Sequence, residues 1–277
     1  MPYKRILSVQ DISCVGQCSM TIALPILSAC GHETCILPAA ILSTHTGGFG
    51  KPAVHGLGDF MDRAVSHWKE NGITFDLIYV GYLGSVAAVK TAVHVMDTML
   101  APGGITVVDP AMADYGKRYS GLSDEYESAM FELCEKADVM IPNLTEAYMM
   151  AGIPYREEST LENVHSLLEK LPGRNVLLTG VGFSPDQTGF ALRSGDRVQL
   201  YHHPKIGKAY SGTGDIFASV FCGALASGKE MYDAATVAAQ FVMKSVEITA
   251  SCPAHWYGVK FEQLLPELAA MQSLTED

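Results

Sequence analysis

Ser211-Gly212-Thr213-Gly214-Asp215 places backbone that can hold an anion within one turn of a carboxylate. The two glycines allow close approach and unusual φ angles. Where such a stretch opens a helix, its unpaired N–H groups and the positive end of the dipole favour a phosphate oxygen or a developing negative charge. The following run, Ile216 to Ser227, has the apolar content of a buried helix. Asp215 is then a base beside an anion hole, which is the pair needed to deprotonate a hydroxyl while phosphate is handled. Taken alone, the same five residues also make an ordinary glycine-rich helix entry with an acid in its first turn.

Further candidates sit where apolar runs end. Asp109 closes one run, Pro110 holds it extended, and Asp114 comes five residues later. Carboxylates there could orient Mg²⁺ and its waters, or offset a lysine. Asn143 and Glu146 have the spacing of a capping box, which spacing alone favours over Asn143 on phosphate and Glu146 on a metal-bound water. Thr179-Gly180 suits phosphate or ribose, or a plain strand exit, while Lys205 and Lys208 could meet phosphate charge. Gly16 with Gln17-Cys18-Ser19 lines the site or caps the first helix. His45 is a candidate substrate contact, and His202-His203 are expected to face solvent. Trp256-Tyr257, between the last helices, are expected to pack those helices, with flanking a nucleotide base as the alternative. Cys14-x₃-Cys18 lacks a second ligand pair, which argues against zinc.

The elements that must position these residues alternate. Strand-like runs are Ile6–Val9, Thr34–Pro38, Leu77–Val80, Ile105–Val108, Val139–Ile141 and Asn175–Thr179. Helix-like segments lie at Ser19–Cys30, Gly58–Asn71, Val86–Leu100, Asp124–Lys136, Thr145–Ala151 and Thr160–Leu171. The alternation predicts an α/β fold with a mostly parallel sheet covered on both faces. Gly189–Leu192 and Arg197–Tyr201 predict an antiparallel edge hairpin, followed by helices Asp215–Ser227, Tyr232–Thr249 and Lys260–Met271. No linker splits the chain, so residues 1–277 are expected to form one domain. Ligands bind at the carboxyl ends of strands in such sheets, and the polar loops at those ends should gather along one rim.

Composition narrows the classes. The net charge of -11 disfavours a nucleic-acid or anionic-membrane surface. Seven cysteines without a C-x-x-C, and no signal-peptide pattern, point to a reducing cytoplasmic setting. No apolar stretch is long enough to span a membrane. Absent too are G-x-x-x-x-G-K-[ST], a G-x-G-x-x-G after the first strand and G-x-S-x-G, which disfavours P-loop kinases, dinucleotide dehydrogenases and α/β hydrolases.

In order, Gly81-Tyr82-Leu83-Gly84, Asp109 to Asp114, Pro142-Asn143-Leu144-Thr145-Glu146, Leu178-Thr179-Gly180 and Gly212-Thr213-Gly214-Asp215 resemble the signature of the ribokinase-like superfamily. Gly81 to Ser85 and Ser43 to Thr46 resemble its pyridoxal and pyridoxamine kinases, and the likeness runs from about Ile6 to Phe261. The resemblance implies a three-layer α/β/α sandwich, commonly a homodimer, using ATP and Mg²⁺ and often a monovalent cation such as K⁺. It implies phosphorylation of the 5′-hydroxymethyl group of pyridoxal, pyridoxamine or pyridoxine in vitamin B6 salvage. Asp215 would be the base, with Gly212, Thr213 and Gly214 as the anion hole. Asp109, Asn143 and Glu146 would serve ATP, with Asp109 and (through water) Glu146 at Mg²⁺ and Thr179 near the nucleotide. Asp11, Thr46 and Tyr82 match positions at the pyridine ring. Many pyridoxal kinases have Ser where Asp11 stands, and a carboxylate there favours a cationic or amino-bearing ring. Hydroxymethylpyrimidine kinase of thiamine synthesis is the alternative, and a non-catalytic B6-binding protein the reading from another class. Residues 44–52 and 113–122 are the expected mobile covers.

Overall fold

Alternate residues of the central strands point to opposite faces, and both faces are apolar. In β1 (Arg5–Ser13), Leu7 and Val9 enter one core layer and Ile6 the other. In β4 (Phe75–Val80), Ile78 and Val80 share the layer of Leu7, while Leu77 and Tyr79 share that of Ile6. Strands apolar on both sides need helices on both sides. The structure, a computed structural model, describes residues 3–207 and 209–273. Lys208 therefore lies outside the described residues.

One face is covered by α2 (Gly58–Glu70), α3 (Val86–Met99), α4 (Asp124–Lys136), α5 (Leu144–Met150) and α6 (Leu161–Lys170). The other is covered by α1 (Met20–Ala29), α7 (Thr213–Ala226), α8 (Met231–Ala250) and α9 (Leu265–Ser273). The remaining strands are β2 (Glu33–Leu42), β3 (Val54–Gly56), β5 (Leu100–Val108), β8 (Val139–Met140), β9 (Asn175–Thr179), β10 (Gln187–Ser194) and β11 (Arg197–Pro204). With β1 and β4 they form a nine-stranded sheet in the order β11-β10-β9-β8-β5-β4-β1-β2-β3. The five pairings from β2 to β9 are parallel, and the β9-β10-β11 edge is antiparallel. The expected three-layer α/β/α sandwich with an edge hairpin is therefore present.

Two strands differ from the sequence reading. β2 continues past Pro38 to Leu42, because β3 adds to it antiparallel from Ala40 onward. Pro38 itself has no partner on that side, so its missing N–H breaks no ladder. A register shift between Gln10 and Ile12 then sets Ala39 and Ala40 opposite Asp11 alone, so β2 carries a bulge and Asp11 lies within β1 opposite it rather than after the strand. A separate two-stranded hairpin, β6 (Ala113–Asp114) with β7 (Lys117–Arg118), was not foreseen either.

The strand order fixes where a ligand can go. From β1 the chain runs outward through β2 and β3, then crosses back to β4 on the other side of β1 and proceeds outward again. The carboxyl ends of β1 and β4 thus flank the switch point, where a crevice opens in sheets of this kind.

Candidate functional site

Parallel pairing continues past the strand ends and lines up the candidate residues. Gly81 donates to the carbonyl of Val9, and Asp11 donates to that of Tyr82, both at 3.0 Å. Asp109 donates to Val80 at 2.8 Å, Ile141 to Val108 at 2.8 Å, and Thr179 to Pro142 at 3.0 Å. Asp11, Tyr82, Asp109, Asn143 and Thr179 therefore stand on the successive ends of β1, β4, β5, β8 and β9. Strands lie about 4.8 Å apart, so the row measures about 19 Å. That is room for a small ring at one end and a nucleotide at the other.

Asp215 meets this row from above. Gly212 is the N-cap of α7 at φ 89°, and Thr213, Gly214 and Asp215 form its first turn. The helix therefore starts two residues earlier than expected, with Asp215 inside the first turn. A Cβ on Gly212 would lie 2.7 Å from the carbonyl oxygen of Gln17 and 2.9 Å from Ile22. At Gly214 a Cβ would meet nothing within 4 Å. One glycine is required by the fold, and the other leaves open space over the unpaired N–H groups of the helix. Thr213 Oγ1 is tied back to the Tyr210 carbonyl at 3.3 Å.

Asp215 keeps partial access to solvent. The protein around its carboxyl pushes its pKa up to about 7, opposed by the Ser19 N–H and reinforced by Asp11. Asp11 is 2% exposed. Burial raises it too, against hydrogen bonds from the Ser19 and Ser13 hydroxyls. Ser19 thus bridges the two acids, hydroxyl to Asp11 and N–H to Asp215. Its φ of 55° is unusual for serine, and its side chain makes no cap bond to α1. Its backbone also bridges to Ile12, and its carbonyl accepts from Ile22 N at 3.0 Å and Ala23 N at 2.9 Å at the start of α1. Sequence reasoning placed Ser19 only in a loop that lines the site or caps a helix. The one signal available was a serine just before an apolar helix, which capping explains equally well.

At the other end, Glu146 is 1% exposed and ties two loops together. Its Oε1 accepts from Met112 N at 3.0 Å and Ala113 N at 3.4 Å, and its Oε2 from Asn143 N at 2.9 Å. Asn143 completes the capping box, and its Nδ2 donates to the Ala113 carbonyl at 2.8 Å. Capping and site roles coincide here, since the second amide N–H of Asn143 remains for a ligand. Glu146→Ala leaves three backbone donors without a partner. We expect a loss on the order of 3 kcal/mol, or roughly 6–12 °C in Tm by calorimetry. A shift under about 2 °C would mean that the loops hold without it.

Asp109 is buried, and the charged neighbours acting on it, Glu146 and Asp215, are both acidic and raise it together with burial. An acid so placed calls for a cation. Among the described residues no three His, Cys, Asp or Glu side chains converge to hold a metal by themselves. Mg²⁺ characteristically takes one or two carboxylates and completes its shell with water and phosphate oxygens, so the donor set fits that ion. The Cys14 and Cys18 pair belongs to no metal group among the described residues.

Thr46, Lys51, Tyr82, Ser120 and Gly121 line a cavity of about 600 Å³ between the two expected covers. His45, the candidate substrate contact, is committed elsewhere. Its Nδ1 accepts from Gly47 N at 2.9 Å, and its Nε2 faces the Tyr257 carbonyl at 2.6 Å. Trp256 packs on Phe49 with ring centroids 4.9 Å apart, so it props the loop at residues 44–52. His202 is half-buried against Phe183, not turned to solvent as expected. Lys205 is exposed.

The phosphomethylpyrimidine kinase family model matches residues 60–259. A pyridoxine/pyridoxal/pyridoxamine kinase of Bordetella bronchiseptica is 25% identical over 260 residues, covering 88% of this chain and 89% of the relative. The crystal structure of pyridoxal kinase from Lactobacillus plantarum superposes with a TM-score of 0.88 at 32% identity, covering 100% of both chains. A candidate phosphomethylpyrimidine kinase of Bacteroides thetaiotaomicron, crystallised with pyridoxal, superposes with a TM-score of 0.89 at 33% identity, covering 96% of both.

Proposed function

Because this chain belongs to the phosphomethylpyrimidine kinase family, and within it resembles the ribokinase-like pyridoxal kinases over its whole length, we propose that it phosphorylates a B6 vitamer from ATP. The acceptor is the 5′-hydroxymethyl group of pyridoxal, pyridoxamine or pyridoxine. One observation carries the reading: a carboxylate raised to about 7 sits in the first turn of a helix whose free N–H groups face open space. Asp215 takes the hydroxyl proton, and Gly212, Thr213 and Gly214 hold the transferred phosphoryl group. Such transfer asks for positioning and charge stabilisation rather than covalent chemistry from the protein. Asp109, with Glu146 through water, would hold Mg²⁺, which when bound offsets phosphate charge. Asn143 and Thr179 orient the ATP phosphates and nucleotide from the ends of β8 and β9, while Asp11, Thr46 and Tyr82 receive the ring. Residues 1–277 act as one catalytic domain, with residues 44–52 and 113–122 as covers on either side of the cavity.

The test is ADP formation that depends on added vitamer. Binding without a phosphorylated product would favour a B6-binding protein instead. Asp11 keeps a second reading in play, hydroxymethylpyrimidine as acceptor, since a carboxylate also suits an aminopyrimidine. Comparing kcat/KM for that alcohol and the three vitamers decides between them.

The proposal includes a homodimer. Edge strand β3 exposes Val54 (64%), and Ile41 (38%) on the adjoining β2 and Phe60 (47%) on the following helix α2 are exposed too. Apolar edges of this kind are ordinarily covered. Sedimentation velocity should give a dimer for the wild type and a monomer for Val54→Lys. No helix among the described residues is long and apolar enough to cross a membrane. The seven free cysteines suit a reducing, cytoplasmic setting.

A further inference from the structure

Two hydroxyls beneath the row of strand ends lack a partner. Tyr79 and Ser219 are both 0% exposed, and neither Tyr79 Oη nor Ser219 Oγ makes a hydrogen bond to any described group. Buried polar atoms are nearly always paired, since an unmade bond costs the full desolvation of the group. Ser219 has an alternative that it does not take. Ser66, Ser128 and Ser245 each donate to the carbonyl four residues back in their helices, whereas Ser219 Oγ does not bond to that of Asp215. Its hydroxyl acts on the Tyr79 phenol instead, without a direct bond of normal geometry. Where two buried polar groups face each other in this way, a water between them satisfies both.

The two residues stand below the acids of the site. Tyr79 lies on the sheet face that α7 covers, and so does its β5 neighbour Val107, two residues before Asp109. Ser219 comes one turn after Asp215 on the same side of α7. Burial, then the charges of Asp109, Asp215 and Cys222, push the phenol well above its ordinary value, so it keeps its proton and stays a donor. The layer is polar on the β1 side as well. Ser8 pairs with Tyr79 across the strands and accepts from Gln10 Nε2 at 2.8 Å, while Gln10 Oε1 is a third buried atom without a partner.

We propose that Tyr79 and Ser219 hold an internal water between β4 and α7, and that this water sets the placement of Asp215 relative to Asp109. The phenol donates to the water. The water in turn donates to Ser219 Oγ and, with its second hydrogen, toward the acids above. Tyr79 and Ser219 touch neither substrate nor nucleotide, so both are positioning residues. The water site stands on the buried hydroxyls alone, whereas its effect on turnover rests on the kinase reading above.

A crystal structure of the wild type, at a resolution that shows waters, is expected to place one between Tyr79 Oη and Ser219 Oγ, and that of Tyr79→Phe to lack it. Two hydroxyls bonded directly to each other, with no density between them, overturn the proposal. Thermal melts add a sign. Tyr79→Phe removes a bonded hydroxyl and should lower Tm by about 2–4 °C. Were the hydroxyl without a partner, the same change would relieve a desolvation cost and raise Tm, which overturns the proposal too. In kinetics, Tyr79→Phe and Ser219→Ala should each lower kcat by about 10-fold, with KM for vitamer and ATP held within about twofold. Both act through one water, so the double variant should be no slower than the slower single variant. Losses that multiply, or an unchanged kcat in both, overturn the positioning role. If neither variant folds, the wild-type structure alone decides. A bridging water in a protein that turns over no vitamer would support the water site and count against the kinase reading.

Discussion

Asp215→Asn is expected to lower kcat by about 10²–10⁴-fold, while the affinity for ATP, measured by calorimetry, changes by less than roughly threefold. The amide keeps the size of the side chain and can still accept the Ser19 N–H, so the loop should hold its shape. What it cannot do is take a proton. A near-normal kcat would remove Asp215 from the role of base. The pH dependence gives an independent check. Asp215 lies at about 7 in the folded protein against an ordinary 3.8, so kcat/KM should climb with pH through about 7 and level off above it. Stability runs the other way. The fold prefers the protonated acid, so its contribution to stability is fully present below 3.8 and is lost as pH rises through about 7. Thermal melts of the unliganded protein between pH 4 and 8 should show this decline; Asp215→Asn should flatten the rate profile and make the stability decline shallower, leaving the part due to Asp11, Asp109 and Glu146, which burial raises too.

The second large effect separates two neighbouring glycines. Gly212→Ala must place a Cβ against Gln17 and Ile22 at a φ of 89°, so it should unsettle the loop and the start of α7 together. The expected outcome is a loss of about 2–4 kcal/mol in stability along with activity. Gly214→Ala meets no such obstacle. It lies in a helical turn, where alanine is better than glycine by about 1 kcal/mol, so Tm should hold or rise. The added methyl nevertheless stands over the N–H groups that hold the phosphoryl group. A loss of about 10²–10³-fold in kcat is expected. Full activity in Gly214→Ala would mean that the phosphoryl group does not dock at the first turn of α7.

The parallel core was legible because both its signals are local. Runs such as Leu77–Val80 are apolar on both faces, and helices such as Asp124–Lys136 carry their own caps and amphipathic spacing. β3 carried no such signal. Val54-His55-Gly56 is three exposed residues, and it is a strand only because Ala40 to Leu42 lie beside it. The same limit applies within the site. Asp215, Asp109 and Glu146 stood out as acids at element ends, and in the structure Glu146 and Asp215 both act electrostatically on Asp109. The part played by Ser19 was hidden, because it depends on a left-handed φ and on two acids from distant segments. His45 was misread for a related reason. A histidine among glycines resembles a substrate contact until its Nε2 is seen to pair with the Tyr257 carbonyl, 212 residues away in sequence.

That last contact also bears on the order of folding. The loop at residues 44–52, which borders the cavity, is held by a segment far away in the chain. His45 bonds to Tyr257, and the Gly16 carbonyl would lie 2.7 Å from a Cβ on Gly258. Contacts of such sequence separation form late, since the loop between them must close first. During synthesis, β1, β2 and β4 can pair while residue 257 is still unmade, so a growing chain has a sheet before it has a pocket. Weakening the latch at His45 should therefore speed unfolding and leave the folding rate almost unchanged. The border of the cavity is thus completed only after the sheet that carries it.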